Sequence, residues 1–161
     1  MKKFITIIVI LILIIMTSLG LIYINYSSDI DAINSLNVNL IDLDLNDITY
    51  TSFKLNFDVE INNPSDRDII DLSTDFEIFI EDNYVGEGNF SNVNISKNSK
   101  IVNDVVVKIY YNDLTDAVVN IIKGIINEGE FKLEINGTLY AKALFGISLI
   151  KQDYAAIKIY Q

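Results

Sequence analysis

From Phe4 to Ile24 the chain is one apolar run of about 21 residues without a charge, interrupted only by Thr6, Thr17, Ser18 and Gly20. At a rise of about 1.5 Å per residue a helix of this length crosses a hydrocarbon core of about 30 Å. Asn25 to Ser35 is polar, holds Ser27, Ser28, Asp29 and Asp31, and reads as a tether. Beyond it the apolar period falls to two. Leu36-Asn-Val-Asn-Leu40 alternates, and Ile41-Asp-Leu-Asp-Leu45 alternates in the opposite phase. Such a flip predicts a bulge, or a strand that changes sheets.

The clearest alternation is Phe53-Lys-Leu-Asn-Phe-Asp-Val-Glu-Ile61, a strand with one apolar and one polar face. It stops at Asn62-Asn63-Pro64, the only proline in the chain. A second alternating set follows at Ile70, Leu72, Thr74, Phe76, Ile78 and Ile80, and Glu81-Asp82-Asn83 predicts a hairpin turn. Tyr84-Val-Gly-Glu-Gly88 begins the return strand, where Gly86 and Gly88 signal a bulge or a close backbone approach. Val93 and Ile95 form a short edge-like stretch. Ile101 to Tyr111 follows, with Val105, Val107 and Ile109 on one face and Val106 and Tyr110 on the other, a pattern expected for a strand covered on both sides.

The period then changes. Leu114, Ala117, Val118, Ile121, Ile122 and Ile125 recur at three and four, predicting one helix over 113–127, with Asn112 or Asp113 as its cap and Gly129 past its end. Strands resume at Phe131, Leu133 and Ile135 and continue through Gly137 to Ala141. Phe145-Gly146 turns, and Ala155, Ile157 and Ile159 form the last strand. About seven strands and one short helix predict an all-β fold, an immunoglobulin/fibronectin type III-like antiparallel β-sandwich behind an N-terminal transmembrane helix. The implied division is 1–3 cytoplasmic, 4–24 transmembrane, 25–35 linker and 36–161 sandwich domain.

Charge sets the orientation of the apolar run. Lys2 and Lys3 precede it and all 22 acidic residues follow it. The positive-inside rule then places the N-terminus in the cytoplasm and the domain outside, with Tyr23 and Tyr26 at the interface. The alternative is a secreted domain released by a signal-peptide cut after Gly20, with Ser18 and Gly20 as the small residues. The net charge of −10 argues against nucleic-acid partners. With neither cysteine nor histidine, the chain cannot build disulfides, thiol catalysis, Cys/His zinc sites or His-based triads.

Candidate chemistry is sparse. Asp42, Asp44 and Asn46 share a strand face near Asp47, but a calcium site wants six to eight oxygens and a flexible loop. They read as a solvated face. Asp66, Asp68 and Asp71 surround Arg67 beside the Asn-Pro turn. Paired carboxylates do acid/base work only in a pocket with unequal surroundings, so these read as a solvated turn. No catalytic residue, metal, cofactor or small-molecule substrate is expected. Asn-x-Ser/Thr sequons occur at Asn25, Asn89, Asn94 and Asn136, possible glycosylation sites in an extracytoplasmic domain.

One resemblance adds to this. Asn63-Pro64-Ser65, closing the strand Phe57-Asp-Val-Glu-Ile-Asn-Asn63, resembles the Asn-Pro-Asn signature of the water-stress-and-hypersensitive-response (WHy) domain. That domain defines the folded, type 2 group of late embryogenesis abundant (LEA) proteins. Tyr84-Val-Gly-Glu-Gly88 is similar to the family's strand ending in paired glycines, and the order of strands, helix and Gly137-bearing strand fits it over about residues 36–160. Ser65 departs from the usual asparagine. The resemblance implies a β-sandwich with one helix, and protection of proteins or membranes during dehydration without known catalysis. Some members are membrane-anchored. Asn63, Pro64, Ser65, Gly86 and Gly88 would then be fold residues. Partners would be the membrane, through the helix, and client or envelope proteins. The competing expectation is an envelope adaptor or assembly module that pairs with a specific partner through a sheet edge.

Overall fold

The computed structural model describes residues 2–128, 130–143 and 146–160. Helix α1 spans Lys2–Asn34 and is followed by strands β1 (Asn37–Asn46), β2 (Ser52–Asn63), β3 (Ile69–Ile80), β4 (Asn83–Ile95) and β5 (Ser99–Tyr110). A single 3-10 turn at Tyr111–Asp113 leads to helix α2 (Asp116–Glu128), then to β6 (Phe131–Ala143) and β7 (Ser148–Tyr160). The strands form two antiparallel sheets, ordered β1-β2-β5 and β4-β3-β6-β7. The fold is an immunoglobulin/fibronectin type III-like sandwich in which the fourth strand lies beside the third.

β2 lies at the centre of its sheet, and its alternation is read directly into burial. Phe53, Leu55, Phe57, Val59 and Ile61 are buried, while Lys54, Asn56, Asp58 and Glu60 keep partial access to solvent. Facing them are Leu72, Phe76, Ile78 and Ile80 of β3 and Leu133, Ile135, Leu139 and Ala141 of β6. Phe57 and Phe76 meet edge to face across the two sheets, with ring centroids 6.2 Å apart. The phase flip in β1 is a bulge. Ile41 pairs with Asp58 and Leu43 with Phe57, and Asp42 between them has no partner and a φ of 43°. Glu81 and Asp82, both at positive φ, form the two-residue turn between β3 and β4.

Several expectations are corrected. Residues 25–34 are not a loose tether. α1 continues through them, and Ala32, Ile33 and Leu36 are buried in the core. In β3, Ile69 rather than Ile70 faces inward, because a register shift at Asp71 (φ 53°) reverses the phase. Val93 and Ile95 belong to β4 itself, which passes a bend at Asn92 (φ 59°). β5 is not covered on both sides: it is an edge strand, and Val102, Val106 and Tyr110 are exposed. The last strand holds Ala155, Ile157 and Ile159 as expected; within it these three point out, and Ile150 and Ala156 face the core. The cap of α2 is Thr115, whose Oγ1 accepts from the Val118 N–H at 3.4 Å. Val118 and Ile122 of α2 are buried. Gly129 and Phe145, and the side chains of Ala117 and Ile125, lie outside the described residues.

The apolar part of α1, exposed from Phe4 to Ile24, packs against none of the described residues of the sandwich. The helix from Phe4 is long and apolar enough to cross a membrane. Its few polar side chains are satisfied within the helix. Thr17 donates to the Leu13 carbonyl at 2.9 Å, Ser18 to Ile14 at 2.8 Å and Asn25 Nδ2 to Leu21 at 2.9 Å. A hydrocarbon surrounding would require this, since it offers no partner to an unpaired polar group.

Candidate functional site

The sandwich and the apolar helix meet at one polar junction, built by the Asn-Pro turn. The chain crosses twice between the sheets at this end, from β2 to β3 and from β4 to β5. Asn63 is completely buried between the two crossings. Its Nδ2 donates to the Arg67 carbonyl at 2.7 Å and to the Ser96 carbonyl at 3.1 Å. Its Oδ1 accepts from Ser65 Oγ at 2.6 Å and from the Ser65 N–H at 3.1 Å. Only a carboxamide combines two donors and an acceptor in this shape. The loops are tied further by the Asn98 N–H to the Ser65 carbonyl at 2.9 Å and by the Lys97 N–H to Asp68 Oδ1 at 2.8 Å. Pro64 is exposed and fixes the chain direction as the turn leaves β2. Ser65 supplies a hydroxyl and an N–H to Asn63 from a half-buried position.

Arg67 leaves this turn and reaches α1. Its Nη2 donates to Asn25 Oδ1 at 3.0 Å, and its Nη1 lies 3.4 Å from Asp29 Oδ1. The contacted residues are four apart and so share a helix face. Beneath them Ala32 and Ile33 enter the core, with Tyr26 and Ile30 packed at its margin. A cleft of about 210 Å³ remains between helix and sandwich, walled by Asn25, Asp29, Ile33, Arg67, Ile70 and Gly146. On the far side Gln152 Nε2 donates to the Asn34 carbonyl at 3.3 Å. The reach of Arg67 is not readable from the sequence. The burial of Ile33 is, because Tyr26, Ile30 and Ile33 stand four and three apart on one helical face.

The paired glycines do different things. A Cβ on Gly88 would come within 2.6 Å of the Phe76 ring, whereas one on Gly86 would make only a 3.9 Å contact with Val107. Gly137 is the most constrained. Its Cβ would lie 2.7 Å from the Asp75 carbonyl and 2.9 Å from Tyr154 Cζ. Gly88, Phe76, Gly137 and Tyr154 form one cross-strand row, in which each ring is flanked by a residue without a side chain. Tyr154 passes over Gly137 and its hydroxyl lies 3.1 Å from Thr74 Oγ1. Burial pushes the Tyr154 phenol up to about 12.

The acidic candidates are spread apart. Asp47 pairs with Lys54, whose hydrogen bond lowers its carboxyl pKa, and Asp71 pairs with Lys142 at 2.8 Å. Asp42, Asp44, Asp58 and Asp104 stand along the outer face of the three-stranded sheet. Among the described residues no three Asp or Glu side chains gather as metal ligands would. Of the sequons, Asn89 and Asn94 are exposed on β4. Asn136 is half-buried on β6 and donates to Glu134 at 2.9 Å. Asn25 lies in α1 with its amide engaged at both ends.

No protein-family model and no curated protein matches the chain. Solved structures do. A protein from Arabidopsis thaliana, At1g01470, superposes with a TM-score of 0.56 at 16% identity, over 74% of this chain and 76% of its own. A protein described as a candidate LEA protein, At2g46140.1, superposes with a TM-score of 0.52 at 13% identity, over 92% of this chain and 83% of its own. At these identities the likeness shows a shared β-sandwich fold.

Proposed function

We propose that this is a non-enzymatic, single-pass membrane protein of the LEA type 2, WHy-domain kind. Its N-terminus is cytoplasmic, and residues 36–161 form a domain at the outer face of the membrane that protects or supports neighbouring proteins during water stress. What carries this reading is the continuity of α1, which runs from a lipid-length apolar stretch directly into the sandwich core at Ala32 and Ile33. A domain fixed so close to its anchor acts at the membrane surface. Its excess of carboxylates keeps that surface hydrated and repels close approach of other acidic proteins. The fold shared with the candidate LEA protein At2g46140.1 supports this reading.

Protease treatment of intact cells or spheroplasts, followed by mass analysis of the N-terminus, tests it. Digestion of the domain with residues 1–24 retained is expected. A protected domain would overturn the orientation, and loss of residues 1–20 would overturn the anchor in favour of secretion. The protective role predicts less aggregation of a test enzyme on drying than an inert acidic protein of equal charge allows, and equal aggregation would end it.

A second reading is an assembly module that pairs through a sheet edge. It is favoured by β7, an edge strand whose outward face carries exposed Leu149, Ile157 and Ile159. One stoichiometric partner, lost on Ile157→Lys, would decide for it.

A further inference from the structure

The turn between β6 and β7 lies at the level where the apolar helix ends. Gln152 of β7 bonds the Asn34 and Leu36 carbonyls, which fixes the height of the strand against α1. From Gln152 back to Ser148 is about 13 Å at a strand rise of about 3.3 Å. The same distance back along α1 from Asn34 is about nine residues at 1.5 Å each, which reaches Asn25. Gly146 shares the wall of the small cleft with Asn25 and Asp29, as this count requires. Ile24 is the last residue of the apolar run, and the first charge after it is Asp29. The turn residues Gly146 and Ile147 therefore stand beside the boundary between hydrocarbon and headgroups.

Ile147 is 81% exposed, Leu149 beside it 58% and Ile70 across the cleft 51%. Tyr23 is exposed at the same height of α1. An isoleucine at a turn tip costs solvation free energy unless something apolar covers it. Gly146 takes a φ of 87° and its N–H bonds the Ala143 carbonyl at 3.2 Å, which ties the head of β7 to the end of β6 and leaves Ile147 outward. The charges around this end, Asp29, Asp66 and Asp68 against Arg67 and Lys142, leave no positive excess to draw the domain onto anionic lipids.

We propose that residues 146–149, at the head of β7, are a second membrane contact, in which Ile147, supported by Leu149, inserts into the interfacial region of the bilayer beside α1. The occupant is a lipid surface, and the contact is apolar rather than ionic. It rests on the anchored reading of α1 and adds to it: with two points of attachment the sandwich cannot swing about its anchor. The three strands that end here, β2, β4 and β6, hold the tip at a set height through the junction around Asn63 and Arg67.

The chain has no cysteine, so single-cysteine labelling is unambiguous. The full chain is reconstituted in phosphatidylcholine nanodiscs containing a bromolipid quencher. An environment-sensitive fluorophore is placed on Ile147→Cys, on Ser18→Cys within the apolar run, and on Asp82→Cys in the turn at the opposite end of the sandwich. Ile147→Cys is expected to show blue-shifted emission and to lose most of it to the quencher, as Ser18→Cys does, while Asp82→Cys keeps the emission of a label in water. Quenching at Ser18 with none at Ile147 would overturn the turn contact and leave the anchor standing. No quenching at Ser18 would overturn the anchor and the turn contact together. A blue shift at Ile147 that grows with protein density and ignores the quencher would assign the tip to a second copy of the chain, and would also overturn the proposal.

Discussion

Arg67 Nη2 donates to Asn25 Oδ1 at 3.0 Å, across 42 positions of sequence. Asn25 is the first residue after the apolar run, and Arg67 is held by a turn whose amide knot closes the sandwich. The bond therefore joins the end of the anchor to the end of the fold. Neither side chain is deeply buried, and the accompanying pair with Asp29 is partly solvated, so its worth is on the order of 1 kcal/mol or less. Arg67→Ala is expected to leave global stability nearly unchanged and to accelerate amide exchange in residues 25–33. Arg67→Lys should restore little, because one ammonium cannot span two partners as a planar guanidinium does. Hydrogen–deuterium exchange of the full chain in micelles measures this. Unchanged protection in 25–33 would mean that Ala32 and Ile33 alone fix the helix.

Asn63 is expected to behave differently from its neighbours in the motif. Replacing it with alanine leaves the Ser96 carbonyl and the Ser65 hydroxyl without their buried partner, a cost of about 2–3 kcal/mol. Asn63→Asp should be at least as damaging, since it loses both donors and buries a charge. Pro64→Ala acts at an exposed position and should cost less than about 1 kcal/mol, mostly through the unfolded chain. Urea denaturation followed by tyrosine fluorescence separates these. Equal effects at 63 and 64 would contradict the knot.

Gly86 and Gly88 look alike in sequence and differ in surroundings. Gly86→Ala meets only an ordinary contact and has no positive φ, so it should be neutral or stabilising by about 0.4–1 kcal/mol. Gly88→Ala pushes into the buried Phe76 ring and should cost about 1–3 kcal/mol. Phe76→Leu in the Gly88→Ala background should recover part of that loss, because the obstacle is the ring. Gly137→Ala meets the Asp75 backbone, which cannot turn aside, so no side-chain change should rescue it. Thermal melts of the four variants test the order.

How far the sequence could be read depended on whether one face of a segment was polar. In β2 every second residue is polar, so register and burial followed directly. In β1 the phase reversal at Leu40-Ile41 points to a bulge, which the structure centres on Asp42. β7 fails this test, because Leu149-Ile150 and Ala155-Ala156-Ile157 are apolar in both phases, and only pairing with β6 decides which set is buried. The tandem Ile69-Ile70 is ambiguous in the same way, and the register shift at Asp71 decides which of the two is buried. Residues 25–34 looked like a tether because polar side chains dominate. The three apolar residues that dock the helix carried a readable spacing but few votes. The Asn-Pro turn was legible as a turn, whereas the knot it forms with Ser96 joins segments 33 residues apart and leaves no local pattern.

The last prediction concerns pH. Tyr154 crosses Gly137 into the core edge, and burial raises its phenol from 10.0 to about 12, although the Thr74 hydroxyl favours the ionised form. Between these values the unfolded chain has lost the phenolic proton and the folded chain keeps it. The unfolded state then binds fewer protons, so stability falls as pH rises. The contribution is intact below pH 10 and is lost progressively as pH climbs toward 12, by about 2–3 kcal/mol at roughly 1.4 kcal/mol per unit. Tyr154→Phe removes the titrating group while keeping the ring over Gly137. It should cost about 1 kcal/mol at neutral pH through the lost hydroxyl contact and should flatten the decline above pH 10. Urea midpoints of both proteins from pH 8 to 11.5 give the two slopes. Parallel declines would place the alkaline sensitivity elsewhere, with Tyr111, whose phenol burial also raises, the next residue to replace.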